Sequence, residues 1–147
     1  YAMEHRVPII NDEGLQFFYH NHHFEFVKFD GVLGMDILLN ESDPEVFGFE
    51  IDTYWVQVGG CNPVDWINKV AGRMQIVHFK DMAIEKEGYK PIMAEVGEGN
   101  LNWPAIIEAC TKTNVEWAAV EQDICQREPF ESLEISLKNL KELGLNS

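Results

Sequence analysis

The chain has 147 residues, of which 46% are hydrophobic, 12% aromatic and 24% charged. This length and apolar content predict a folded domain with its own core and exclude a disordered chain. Lys and Arg number 11 against 25 Asp and Glu, so the formal net charge is −14. Such a charge disfavours a nucleic-acid partner, because phosphate binding requires basic residues. No apolar run approaches the ~20 residues of a membrane span, so we expect no membrane partner.

Three cysteines are scattered along the sequence, at positions 61, 110 and 125. Their spacing fits neither a disulfide framework nor a zinc finger. It favours reduced thiols, and we therefore expect a cytoplasmic protein.

Four short apolar segments are predicted to be strands. They cover residues 15–20, 46–52, 74–79 and 115–120. Apolar residues at helical spacing predict helices between and around them. These helices cover residues 2–12, 35–39, 63–71 and 103–110, and a last one starts near residue 129. Residues 82–101, which contain several Gly and Pro, are predicted to be a long loop.

The helix boundaries carry recognisable signals. Asn62 followed by Pro63 is typical of a helix start, and Asn102 can cap the next helix. In the last helix the predicted inner face consists of Phe130, Leu133, Leu137 and Leu140. Strands that alternate with helices predict a parallel sheet. The expected architecture is one α/β domain over residues 1–147.

Ionisable side chains occur at the end of each predicted strand. They are His20 and His22, Asp52, His78 and Glu121. In parallel α/β sheets, functional residues gather at the carboxyl ends of the strands, so these groups predict a divalent-metal site. Carboxylate and imidazole ligands suit Mn²⁺, Co²⁺, Fe²⁺ or Zn²⁺, whereas Mg²⁺ prefers more oxygen ligands. The alternative is that polar residues simply mark where strands meet water.

Five ordered motifs carry a resemblance over nearly the whole chain. They are YHNHHFEF at 19–26, EIDTYWV at 50–56, VHFKDM at 77–82, EVGEG at 95–99 and VEQD at 120–123. Together they resemble the sugar phosphate isomerase/epimerase group of xylose-isomerase-like TIM barrels, whose relatives include inosose dehydratases and tagatose 3-epimerases. Within EVGEG, the spacing of Gly97 and Gly99 differs from that of a dinucleotide fingerprint and predicts a tight turn.

The resemblance implies one divalent metal ion, Mn, Co, Zn or Mg, held by a Glu, an Asp, a His and a Glu. By position, Asp52, His78 and Glu121 match the second, third and fourth ligands. The first strand carries no Glu, so we assign its place to His22, with His20 or Glu25 as alternatives.

The resemblance also implies a small-molecule sugar substrate, whose adjacent carbonyl and hydroxyl oxygens would bind the metal, which would stabilise an enediolate. The candidate catalytic residues are Glu121, His22, Glu25 and Lys80. The first three are candidate bases, and Lys80 could hold an anionic oxygen. His20 and Trp55 are predicted to contact the sugar. A solvated Lys80 and a Trp55 in the core or at the rim are the alternatives.

A complete TIM barrel has eight βα units and about 250 residues, whereas this sequence predicts four that resemble the C-terminal half. Two copies could pair as a homo-oligomer, another chain could provide the other half, or an N-terminal half could be missing. The predicted activity is that of a metal-dependent sugar or sugar phosphate isomerase/epimerase. The alternatives are a dehydratase acting on a keto-inositol and a non-catalytic fragment or sugar-binding module.

Overall fold

The computed structural model describes residues 13–145. Its strands are β1 (Phe18–His20), β2 (Lys28–Phe29), β3 (Val32–Leu33), β4 (Gly48–Asp52), β5 (Ile76–Phe79), β6 (Asp81–Ile84), β7 (Pro91–Ala94) and β8 (Trp117–Val120). Its helices are α1 (Gly34–Glu41), α2 (Thr53–Val58), α3 (Pro63–Lys69), α4 (Trp103–Lys112) and α5 (Pro129–Glu142), with a 3₁₀ turn at Phe24–Phe26. The helix predicted at 2–12 lies outside the described residues.

The main sheet contains four parallel strands in the order β1-β4-β5-β8. The prediction of an α/β fold with a parallel sheet built from these four segments is confirmed. Because the strands are parallel, their carboxyl ends lie at the same edge of the sheet. Within residues 13–145, no helix combines the length and the apolar character that a membrane span needs.

Side-chain alternation gives the main sheet one apolar and one polar face. In β4, Phe49 and Ile51 are fully buried in the core together with Val77 of β5. Glu50 and Asp52 alternate with them and point to the opposite face, because successive side chains of a strand point to opposite sides. The helices cover the apolar face, and the polar face carries the candidate site.

Two helix starts follow the predicted pattern. The Asn62 side chain accepts a hydrogen bond from the Val64 amide, with Pro63 as the first residue of α3. The Asn102 side chain likewise accepts from the Ala105 amide at the start of α4. Both caps satisfy amides that have no partner within their helix.

The predicted loop at 82–101 is wrong in part, since β6 and β7 pair there as an antiparallel hairpin. Both strands lie among the Gly and Pro residues that predicted a loop, and β7 itself begins at Pro91. The short β2–β3 hairpin and helix α2 were likewise not predicted.

The predicted inner face of α5 is also wrong in part. Leu140 is buried, but Phe130 is 78% exposed, and Leu133 and Leu137 are about half exposed. The buried positions are instead Ser132 and Ser136. Ser132 donates to the Glu95 carboxylate over 2.6 Å, and Ser136 accepts from the Val96 amide. Polar contacts to the segment after β7 therefore decide which side of α5 faces inward.

Asp81 organises the chain between the hairpin and α4. Its carboxylate is fully buried. It accepts hydrogen bonds from the backbone amides of residues 82, 97, 99 and 101 and from the Trp103 indole. A Cβ at Gly99 would lie 2.4 Å from an Asp81 oxygen, so this approach requires glycine. The Glu98 amide donates to the Glu95 carbonyl, so the predicted tight turn in this segment is confirmed. The amides of Gly97 and Gly99 donate to Asp81.

We expect Asp81→Asn to lower the free energy of unfolding by about 3 kcal/mol, because an amide NH₂ would face donors that need an acceptor. Urea unfolding measures the change. Asp65→Asn in the exposed first turn of α3 is the matched control and should cost about 1 kcal/mol or less. Equal losses in the two variants would contradict this role of Asp81.

Candidate functional site

The polar face of the main sheet brings four potential metal ligands together. His20 ends β1, Asp52 ends β4, His78 lies in β5 and Glu121 follows β8. One ligand atom from each of these side chains lies within 4.8 Å of the others. We call this set the four-residue cluster. Its assembly follows from the parallel register, in which Asp52 is aligned with His78.

Asp52 uses its two carboxylate oxygens for different purposes. Oδ1 accepts a hydrogen bond from the Trp55 amide and so caps α2. Oδ2 lies 3.2 Å from His20 Nε2 and 4.0 Å from His78 Nδ1. The side chain is fully buried, and the Asp52 amide donates to the Asn21 side chain. One carboxylate oxygen is thus held by the fold, while the other faces the cluster.

Lys80 adjoins the cluster and is only 1% exposed. Its ammonium lies 3.1 Å from Asp52 Oδ2, 2.9 Å from Glu121 Oε2 and 2.9 Å from Asp123 Oδ2. The alternative of a solvated Lys80 is therefore wrong. The physical reason is that the ion pairs with three carboxylates offset the free energy of hydration that the ammonium loses on burial.

The charges of the site shift the pKa values of its members. Burial by itself lowers the pKa of Lys80, but the charge of Asp52 and the hydrogen bonds to its carboxylate partners outweigh it, so the pKa is raised. The hydrogen bond to Asp52 raises the pKa of His20 above its ordinary value. Burial opposes ionisation of Glu121, yet the Lys80 ammonium lowers its pKa. Glu121 is therefore a carboxylate and Lys80 a cation near neutral pH.

Two of the three candidates for the first metal ligand, His22 and Glu25, lie outside the cluster. The His22 ring is centred 5.0 Å from the His20 ring and is absent from the set of four ligands. The Glu25 carboxylate is buried, where it accepts from the Tyr19 hydroxyl over 2.6 Å and from the His22 amide over 3.0 Å. Among the three alternatives for the first ligand, the structure brings His20 to the cluster.

Trp55 lies at the border of the cluster and is partly buried. Its ring is 5.1 Å from the His23 ring and 5.4 Å from the His22 ring, centre to centre. The Lys80 ammonium lies 5.7 Å from the centre of its indole. An aromatic surface thus adjoins the charged cluster, and the contact of Trp55 with a sugar stays a prediction.

Two carboxylates of the site, those of Glu50 and Asp123, were not predicted from the sequence. Glu50 Oε1 lies 2.6 Å from His78 Nε2, and Asp123 pairs with Lys80. Each lies two residues from a predicted ligand, Glu50 before Asp52 and Asp123 after Glu121. The alternation of strand side chains could have identified Glu50, because Asp52 and Glu50 share one face of β4.

Comparison with known proteins gives a consistent result, although no protein-family model matches the chain. The inosose dehydratase of Clostridium beijerinckii is 27% identical over 150 residues, which cover 91% of this chain and 50% of that protein. A solved sugar phosphate isomerase/epimerase from Parabacteroides distasonis is 26% identical, with a TM-score of 0.77 over 92% of this chain and 48% of that one. The predicted resemblance to this group is confirmed.

A xylose isomerase domain protein from Planctomyces limnophilus shares the fold at 14% identity, with a TM-score of 0.71 over 96% of this chain and 49% of that one. The isomerase/epimerase and dehydratase relatives are enzymes by name. The chain spans about half the length of the curated relatives that it matches, with 50% and 44% of two inosose dehydratases covered.

We expect Lys80→Met to lower the free energy of unfolding by about 3 kcal/mol, because Asp52 would remain buried without its cation. Urea unfolding in the presence of a chelator measures this. The control is Lys69→Met, which removes an exposed ion pair with Asp36 and should cost about 1 kcal/mol or less. A Lys80 variant as stable as this control would refute the role of the buried ion pairs.

Proposed function

We propose that this chain is the metal-binding part of a TIM-barrel enzyme that removes the proton next to the carbonyl of a sugar or sugar phosphate. The reaction that we favour is isomerisation or epimerisation. The observation that carries the proposal is the convergence of His20, Asp52, His78 and Glu121 on one face of the sheet.

The chemistry of the four ligands fits a divalent cation. Two imidazoles and two carboxylates suit Mn²⁺, Co²⁺ or Zn²⁺ better than Mg²⁺. Asp52 supports this fit, because the fold already holds one of its oxygens and turns the other to the cluster. A bound cation supplies positive charge for the substrate oxygens on which negative charge develops. His20 replaces His22 in the proposed ligand set.

The residues around the cluster have separate proposed roles. Glu121 is 39% exposed, the most accessible of the four side chains, and its lowered pKa keeps it ionised as a base. Lys80 can donate a hydrogen bond to an anionic substrate oxygen. Trp55 and His22 can border the sugar ring, whereas Glu25 fixes the backbone of His22. Proton removal by a positioned carboxylate contributes about 10²–10⁴-fold to a rate.

Dehydration is the second candidate, and the inosose dehydratase relatives favour it. The first step is the same, removal of the proton next to the carbonyl. In a dehydratase acting on a keto-inositol, the hydroxyl on the adjacent carbon then leaves and takes up a proton, so that water is the product. Isomerisation and epimerisation instead return a proton to the substrate without loss of water.

The proposed enzyme requires a second set of four βα units. Among the described strands, β1 and β8 are the outer strands of the sheet. Two large aromatic side chains, Trp117 of β8 and Phe130 of α5, are exposed. Parallel strands are usually covered on both sides. A missing N-terminal half, another chain or a second copy of this chain can complete the barrel. A sugar-binding module without turnover is the remaining alternative.

We expect the purified chain to bind about one Mn²⁺ or Co²⁺, and Asp52→Asn to weaken binding by about 100-fold or more, since loss of an outer partner alone costs up to that factor. Isothermal titration calorimetry measures the affinity. Asp65→Asn, a change of the same chemistry on α3, should bind like the unaltered chain. A chain that takes up no metal would overturn the proposed metal site.

The metal-loaded protein, with its completing half if one is found, should exchange the proton next to the substrate carbonyl with deuterium from D₂O. NMR follows this exchange over a panel of keto sugars, sugar phosphates and keto-inositols. Glu121→Gln should slow it by about 100-fold or more, whereas Glu116→Gln, at an exposed position before β8, should leave it unchanged.

The products of the same reaction distinguish the candidate functions. Loss of water identifies a dehydratase, inversion at the carbon next to the carbonyl identifies an epimerase, and migration of the carbonyl identifies an isomerase. Unchanged exchange in the Glu121 variant would remove this residue from the mechanism. Binding of sugars without exchange would indicate the non-catalytic module.

A further inference from the structure

His78 is held by a carboxylate at each of its two ring nitrogens. Nδ1 lies 2.9 Å from Glu121 Oε2 and 4.0 Å from Asp52 Oδ2, so it faces the four-residue cluster. Nε2 points the other way and lies 2.6 Å from Glu50 Oε1. The two nitrogens therefore have distinct environments, one on the side of the proposed metal and one on the side of Glu50.

The position of Glu50 calls for an explanation. Glu50 lies in the middle of β4 on the same face as Asp52, one layer further from the carboxyl end of the sheet. In TIM barrels this inner layer is mostly filled by branched apolar residues, and its side chain here is only 16% exposed. A carboxylate in such a place is costly unless it has a partner. Among the contacts of the described residues, that partner is His78.

We propose that Glu50 is a positioning residue, which keeps the proton of His78 on Nε2 and presents Nδ1 to the metal. This inference rests on the proposed metal site. An imidazole that binds a metal usually donates its other N–H to a carboxylate or carbonyl, which fixes the ring orientation and makes the ligand nitrogen more basic. Glu50 lies within ion-pair distance of Nε2, on the side where that outer partner would stand, and is not a member of the cluster itself.

The test is a titration of the 147-residue chain with Co²⁺, followed by calorimetry and by the visible absorption of the bound ion. Glu50→Ala removes the acceptor and should weaken Co²⁺ binding by about 100-fold, and Glu50→Gln, which keeps an acceptor oxygen but loses its basicity, by about 10-fold. Both variants should shift the visible spectrum of the bound Co²⁺, because the ligand field exerted by the His78 nitrogen changes.

Glu41→Ala is the matched control, since it removes the same charge at the exposed end of α1. It should leave affinity and spectrum unchanged. Thermal unfolding of each metal-free variant shows whether it is folded, and the isosteric Gln variant carries the test if the Ala variant is not.

Co²⁺ affinity and spectrum in Glu50→Gln identical to those of the unaltered chain would overturn the inference. So would equal losses in the Ala and Gln variants with an unshifted spectrum, because that pattern indicates a general charge effect. Under either of these results the proposed metal site stands, provided that Asp52→Asn weakens Co²⁺ binding by about 100-fold or more. Failure of the unaltered chain to bind Co²⁺ would overturn the metal site and the inference with it.

Discussion

The carboxylate of Asp52, removed from water at the end of the second strand of the sheet, constrains everything around it. A buried carboxylate needs hydrogen bonds and positive charge, because its hydration is lost. The amide of Trp55 donates a hydrogen bond to Asp52, and the ammonium of Lys80 supplies the positive charge. Lys80 is buried as a result, and its ammonium in turn pairs with the carboxylates of Glu121 and Asp123. The carboxylates outnumber this lysine, and the excess negative charge favours a further cation.

The same strand that carries Asp52 also builds the core, so core and site depend on one register. Phe49 and Ile51 face the helices, while Glu50 and Asp52 face the site. A shift of one residue would exchange these faces and bury carboxylates among apolar side chains. The fixed register is what aligns Asp52 with His78. Burial of the apolar side chains on the opposite face therefore fixes the positions of the side chains in the site.

The relatives suggest why two reaction types remain close together. A site that holds a cation beside a base and an ammonium can remove a proton next to a carbonyl. Whether the substrate then loses water or takes the proton back depends on which of its hydroxyls lies next to the catalytic groups. That arrangement is set by the walls of the pocket. In the proposed barrel, the half that completes the sheet between β1 and β8 forms much of those walls. Exposed Trp117 and Phe130 are consistent with surfaces that such a half would cover.

Several features could be predicted from the sequence because they depend on residues close together in the chain. The four strands follow from short apolar runs, and the starts of α3 and α4 from Asn62 and Asn102, which cap their own helices. Their alternation predicts the parallel sheet, and the strand ends predict Asp52, His78 and Glu121 near one another. The ordered motifs predict the group of relatives.

The remaining features depend on contacts between distant segments, so only the tertiary structure could decide them. His20 and His22 are two residues apart and chemically identical, but only His20 meets Asp52, 32 positions away. Lys80 resembles a solvated lysine until the carboxylates that enclose it are assembled. The inward side of α5 is the side whose Ser132 donates to Glu95, a residue 37 positions earlier in the chain. In each case the deciding energy is the pairing of a polar group that burial leaves without water, and local sequence does not contain its partner.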